Sequence, residues 1–142
     1  MDWFQKIITI SDSKRGFLLI TNHIKDQLLE VSNFKIGMLH LFIKHTSASL
    51  TINENADPTV RQDLETHFNQ SVPEDANYYK HTFEGSDDMP AHIKSTTIGN
   101  SLIIPITKGS LNLGTWQGIY LCEHRNHPHT RNIVATINGI KF

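Results

Sequence analysis

The segment Met38-Leu-His-Leu-Phe-Ile-Lys44 constrains the fold more than any other stretch of the chain. Side chains alternate across a strand, so Leu39, Leu41 and Ile43 fall on one face and Met38, His40 and Phe42 on the other. Both faces are rich in apolar groups, which predicts a strand covered on both sides, with His45 continuing the Leu/Ile face. The rest of the chain supplies partners for such a strand. Trp3 to Ile10 and Phe17 to Ile20 read as strands joined by the turn-rich Ser11 to Gly16, a hairpin. Beyond Gly99, strands are expected over Leu102 to Ile106, Trp116 to Glu123 and Ile133 to Ile137, punctuated by Gly109, Gly114 and Asn126-His-Pro-His129.

Helical signals lie between these runs. Thr21 can cap a helix on which Ile24, Leu28 and Val31 recur at i, i+4 and i+7, ending near Ser32-Asn33. Asp57-Pro58 reads as an N-cap followed by a first-turn proline, and Val60, Leu64, His67 and Phe68 trace a stripe up to Val72-Pro73. Glu74 to Glu84 reads as loop passing into a short strand. Asp88 can cap a third, short helix that begins at Met89-Pro90. Strands outnumber helices and several are joined by short turns. The expected class is therefore α+β, a predominantly antiparallel sheet assembly with peripheral helices.

At 142 residues the chain fits one domain, 1–142, able to bury a core without disulfides. Thirteen Lys+Arg balance fourteen Asp+Glu, for a formal net charge of -1, and neither sign forms a block. General electrostatic capture of nucleic acid or of an anionic membrane is unsupported by such a balance. The start Met-Asp-Trp-Phe-Gln-Lys lacks the pattern of a signal peptide, and no run approaches the ~20 apolar residues of a spanning helix. The single Cys122 sits in an apolar run, where it is a poor nucleophile and fits a reducing compartment. A cytoplasmic protein is expected.

Chemistry-bearing residues concentrate in three distant blocks: His45 to Asp57, His81 to His92 and Gly114 to Glu123. Polar groups set beside core strands are costly to bury unpaired, so their recurrence there suggests a shared pocket. His45 is followed by Thr46, Ser47 and Ser49, which can fix its tautomer. Its plain alternative is a satisfied core histidine. His81 and His92 match no local metal motif, yet a divalent ion, Zn or Mg, could take His45, His81 and His92 from separate elements and leave a position open. Asn53, Glu54 and Asp57 lie where a strand meets a helix start, a place that favours bound anions. For Asp57 the ordinary N-cap is the stronger part of that reading.

Asp88 reads as a cap too, which leaves Asp87 the freer of the two acids. Gln117, Ile119, Leu121 and Glu123 share one strand face; Glu123 is a site carboxylate, or it emerges at the strand end into solvent or pairs with Arg125 across the turn. Trp116 can be core, ligand platform or both. His124, His127 and His129 read as solvated loop histidines, and Arg125 and Lys108 as phosphate contacts outside any Walker-type loop.

Taken in order, His45-Thr-Ser-Ala-Ser-Leu-Thr-Ile-Asn-Glu54, His81-Thr-Phe-Glu-Gly-Ser-Asp-Asp-Met-Pro-Ala-His92-Ile-Lys and Gly114-Thr-Trp-Gln-Gly-Ile-Tyr-Leu-Cys-Glu123 resemble the signature blocks of the YjbQ family. That family is also labelled secondary thiamine-phosphate synthase, and the likeness covers nearly the whole chain. It implies a β-sandwich-like domain with peripheral helices, a homotrimer, and pockets near subunit boundaries. It also implies a weak activity joining hydroxymethylpyrimidine diphosphate to thiazole phosphate with loss of pyrophosphate. Carried over position by position, it marks His45, Glu54, Asp57, His81, Asp87, His92, Trp116, Gln117 and Glu123 as the pocket.

The working assignment is then His45, His81 and His92 for a metal, Glu54, Asp87 and Glu123 for catalysis, and Ser47, Asn53, Asp57, Trp116 and Gln117 for a phosphorylated small-molecule substrate. The alternative is a non-catalytic trimeric protein that binds a metabolite or metal.

Overall fold

The computed structural model describes residues 1–142. In chain order it contains β1 (Asp2–Ser13), β2 (Gly16–Leu19), α1 (Thr21–Gln27), a 3-10 turn (Leu29–Asn33), β3 (Phe34–Ile43), β4 (Ala48–Glu54), α2 (Pro58–Ser71), α3 (Asp88–Ile98), β5 (Ser101–Thr107), β6 (Ser110–Leu111), β7 (Gln117–Glu123) and β8 (His129–Lys141). The strands form a five-stranded sheet, β1-β8-β3-β5-β6, and a three-stranded sheet, β2-β7-β4. Every pairing is antiparallel. The α+β, mostly antiparallel class expected from the sequence is the one observed.

One core lies between the sheets. Ile8 and Ile10 of β1, Leu39, Leu41 and Ile43 of β3, and Ile133, Ala135 and Ile137 of β8 meet Ala48 and Leu50 of β4 and Ile119 and Leu121 of β7. The opposite face of the small sheet carries Phe17, Tyr120 and Cys122, packed against Leu64 and Phe68 of α2 and Ile98 of α3. The strand covered on both sides is thus β7, buried continuously from Gly118 to Glu123. The second face of β3 instead looks outward, with Met38 53% and Phe42 40% exposed. Periodicity had located both faces of β3 but not what lies over them.

Three other expectations change. β1 and β2 do not form a hairpin: β1 pairs with β8 and β2 with β7. A register shift between Ile10 and Ser13, with positive φ at Asp12 and Gly16, carries the chain from one sheet to the other. The first helix stops at Gln27 and tightens into the 3-10 turn; Thr21 does not cap it but accepts the Ile119 amide on Oγ1, tying α1 to β7. The residues before Glu84 form turns rather than a strand. Asp57 does cap α2, its Oδ1 accepting the Thr59 amide at 2.9 Å ahead of Pro58. No helix is long and apolar enough to cross a membrane.

Candidate metal centre

The β3–β4 connection, the loop entering α3 and the β7–β8 connection meet at one end of the small sheet. Asp87 occupies the N-cap position of α3 without a side-chain capping bond, and Asp88 opens the helix. Asp88 and His92 are four residues apart, hence on one helix face. Asp88 is 1% exposed. Its Oδ2 lies 2.6 Å from His81 Nε2 and 3.1 Å from His92 Nε2, while its Oδ1 takes Arg125 Nη1 at 2.7 Å. Burial alone would raise the Asp88 carboxyl, but the His81 hydrogen bond and the Arg125 charge hold it below its ordinary value.

The hydrogen bond at the other side of the His92 ring defines the chemistry. His92 Nδ1 is 2.9 Å from the Thr46 carbonyl oxygen. A carbonyl only accepts, so Nδ1 carries a proton, and in the neutral ring Nε2 is a lone pair aimed at a carboxylate. Two acceptors facing each other require a proton or a cation between them. The His81, Asp88 and His92 ligand atoms all lie within 4.8 Å of one another. A backbone carbonyl that fixes the far nitrogen of a ligating histidine is the usual outer support of a metal site. The donor set, two imidazoles and one carboxylate, suits Zn and related divalent ions better than Mg, which prefers oxygen alone.

This group differs from the expected triad. His45 lies outside it: its Nε2 accepts the Asn132 amide at 2.8 Å. Asp88 stands in its place. His45 instead lines a polar cleft with His92, beside the group rather than in it. Burial, and then the charge of Arg131, lower the His45 pKa, so its ring is neutral near pH 7.

Two of the expected catalytic acids are spoken for. Glu123 is fully buried, accepting Arg131 Nε at 2.7 Å and Ser13 Oγ at 2.6 Å on Oε1, and the second Arg131 nitrogen and the Arg125 amide on Oε2. Burial alone would raise its carboxyl, but Arg131 and Ser13 hold it below the ordinary range. Saturated in this way, Glu123 is a structural anion rather than a free acid-base group. Ser47, buried, accepts Arg131 Nη2 at 3.1 Å on its hydroxyl. Asp87 takes Arg125 Nε at 2.8 Å and the Asn126 amide at 2.9 Å on Oδ2, which locks the loop to the β7–β8 connection.

The remaining residues form a separate group. Glu54 pairs with Gln117 at one end of β4 and β7, whereas Ala48 pairs with Glu123 at the other. Six residues of strand put these ends roughly 20 Å apart. At the far end Asn53 Oδ1 accepts the Glu54 amide, Glu54 Oε2 accepts the Asp57 amide, and Gln117 Oε1 accepts the Gly114 amide. Trp116 stands 65% exposed beside them. Within one chain the polar blocks therefore build two patches, not one pocket. Position in a block says nothing about which end of a strand a residue occupies.

Other residues escaped sequence reasoning. Arg125 and Arg131, read as a phosphate contact or not singled out, organise the centre. His124 is 2% exposed rather than solvated; its Nε2 meets Ser49 Oγ at 2.8 Å, and burial with the nearby Lys94 charge lowers its pKa to about 3. Its place on the buried face shared with Tyr120 and Cys122 was readable from period two. Cys122, buried, has its thiol pushed up to about 12 by burial, consistent with an inert side chain.

Residues 6–140 match the family model described as UPF0047 protein YjbQ-like. The chain is 53% identical to UPF0047 protein YjbQ of Escherichia coli O157:H7 over 96% of its length and 99% of that protein. It is 35% identical to UPF0047 protein YugU of Bacillus subtilis over 94% and 98%. Its structure is similar to a crystal structure of a YbjQ-like protein of unknown function from Sulfolobus solfataricus, with TM-score 0.84 at 26% identity, covering 97% of this chain and 98% of that one. A crystal structure of an uncharacterized conserved protein of the YjbQ/UPF0047 family from Clostridium acetobutylicum gives TM-score 0.82 at 38% identity, with coverage of 94% and 99%.

Proposed function

The chain belongs to the UPF0047 family of YjbQ-like proteins, and on that footing we propose that it is a small divalent-cation-dependent enzyme whose centre is His81, Asp88 and His92. The observation that carries this reading is the His92 ring, donating from Nδ1 to Thr46 O and directing Nε2 at Asp88 Oδ2. A bound divalent ion would supply Lewis-acid stabilisation of negative charge on a substrate oxygen. The protein's own part is orientation. Arg125 holds Asp88 Oδ1, so that Oδ2 stays turned to the two imidazoles, and Thr46 O fixes the His92 tautomer.

The reaction proposed is low-level thiamine-phosphate synthesis, as the family resemblance suggests, with another physiological substrate. In it the thiazole nitrogen lone pair forms a C–N bond to the pyrimidine methylene carbon while the C–O bond to the diphosphate breaks. The bonding electrons leave on pyrophosphate. Stabilising that leaving charge is the step a cation serves.

The proposal extends to a cytoplasmic homotrimer. The outer face of the large sheet carries Trp3, Ile7, Ile36, Met38, Phe42, Ile103 and Ile140, each between 40% and 72% exposed. So many exposed large apolar side chains on one sheet face suit an interaction surface, and a second copy of the chain would cover them. Free, buried Cys122 suits a reducing compartment.

The test of activity is thiamine-phosphate formation from the two phosphorylated precursors. Product should vanish with chelator, return with a divalent ion, and stay absent in His81→Ala and His92→Ala. Turnover that persists in chelator would sink the metal-assisted mechanism. Ion binding without turnover on any substrate would favour the non-catalytic alternative.

A further inference from the structure

Beside His92 lies a cleft of about 610 Å³ bordered by His45, Thr46, Ser95, Thr96 and Asn100, with no apolar, lysine or arginine side chain in its lining. We propose that this cleft is a substrate subsite for an uncharged group bearing both hydrogen-bond donors and acceptors, a hydroxylated or heteroaromatic moiety, and that His45 is its specificity-determining donor. The inference rests on the cation reading only for what lies next door; the cleft's own selectivity follows from its hydrogen-bonding pattern.

That pattern is set by bonds within the protein. His45 Nε2 accepts the Asn132 amide, so the proton of the neutral ring is on Nδ1. No protein group accepts from Nδ1, and His45 is only half-buried, which leaves this N–H for a ligand. Ser95 and Thr96 donate their hydroxyl hydrogens to Ala48 O and His92 O, at 2.9 Å each. Both therefore turn oxygen lone pairs, not hydrogens, toward anything else they meet. The Thr46 hydroxyl and Asn100 amide are free to donate or accept.

An anion meets too few donors and several lone pairs here. The cations that could offset this are engaged or absent from the lining: Arg131 is committed to Glu123 and Ser47, and Arg125 to Asp87 and Asp88. Lys44, next to His45 in sequence, does not line the cleft. A substrate with a neutral ring and an anionic tail would thus lie with the ring in the cleft and the tail at His81, Asp88 and His92. His45 is accordingly a substrate-orienting residue, not a metal ligand.

The test uses the whole chain, isotope-labelled and kept in EDTA, titrated separately with hydroxymethylpyrimidine alcohol, xylitol and inorganic pyrophosphate and followed by amide NMR. At least one neutral probe should shift the amides of Thr46, Thr96, Gly99 and Asn100 saturably, and pyrophosphate should leave them in place. Loss of one neutral hydrogen bond in His45→Phe should weaken the neutral probe roughly 3- to 10-fold. Spectral dispersion reports whether that variant folds, and Thr96→Val is a second variant that removes an acceptor. A long-range nitrogen spectrum of the wild type reads the His45 tautomer directly. Proton on Nε2, pyrophosphate acting on these amides without metal, neither neutral probe acting, or unchanged affinity in folded His45→Phe would each overturn the proposal. Because no metal is present, these outcomes are independent of whether the cation reading stands.

Discussion

Replacing Glu123 by Gln separates a structural carboxylate from a catalytic one. Arg131 is 3% exposed and spends Nε and Nη2 on Glu123, with Nη2 also reaching Ser47. Glu123→Gln keeps the shape but leaves the Arg131 charge buried without a counter-charge, and the amide must turn one NH₂ toward a donor. Breaking a buried pair from one side costs about 3–5 kcal/mol. For a chain of this size roughly 2–4 °C of melting temperature accompanies each kcal/mol, so the midpoint should fall by about 10 °C. Urea unfolding followed by far-ultraviolet circular dichroism should show the matching loss. The double variant Glu123→Leu with Arg131→Met should recover most of it, because no stranded charge remains. Any remaining folded Glu123→Gln protein should retain turnover per folded molecule. A variant that melted like the wild type but lost turnover would refute this reasoning and restore Glu123 as an acid-base residue.

Two further expectations follow from the same geometry, and a third from the proposed trimer. Arg125→Gln frees Asp88 Oδ1 and unties Asp87, so zinc affinity measured against a chromogenic chelator should drop about 10–100-fold, as for other outer-shell partners. His124 is held neutral, its pKa depressed from 6.5 to about 3, so the unfolded chain binds a proton across that window and the folded chain does not. Its contribution is full above about pH 6.5 and is lost toward pH 3, by at most ~1.4 kcal/mol per pH unit; urea midpoints should show that slope and His124→Asn should flatten it. Light scattering should give three times the chain mass, and Phe42→Glu on the outer sheet face should lower it toward the monomer.

Much of the architecture could be read from the chain because local rules govern it. Alternation such as that of Leu39, Leu41 and Ile43 marked strand faces, and Asp57-Pro58 marked the start of α2 through capping chemistry that needs no tertiary partner. What escaped depended on distant contacts. Ser11 to Gly16 looks like a hairpin turn by composition, yet whether β2 folds back on β1 depends on β7 and β8 competing for the two strands. Asp88 reads as a cap by its place before Met89-Pro90. Its side chain turns away because Arg125, thirty-seven residues on, offers a charged partner and two histidines place ring nitrogens within reach. The i,i+4 spacing of Asp88 and His92 was the available clue. His45 had the right residue type and the wrong nitrogen: Nε2 is consumed by the Asn132 amide, a bond no sequence pattern announces.

A cation centre of His81, Asp88 and His92 leaves His45 outside it. Metal content by plasma mass spectrometry, after chelation, zinc reloading and exhaustive dialysis, tests this on wild type, Asp88→Ala and His45→Ala. One zinc per chain is expected in the wild type and in His45→Ala, and none in folded Asp88→Ala. Zinc retained by Asp88→Ala, or lost from His45→Ala, would contradict it.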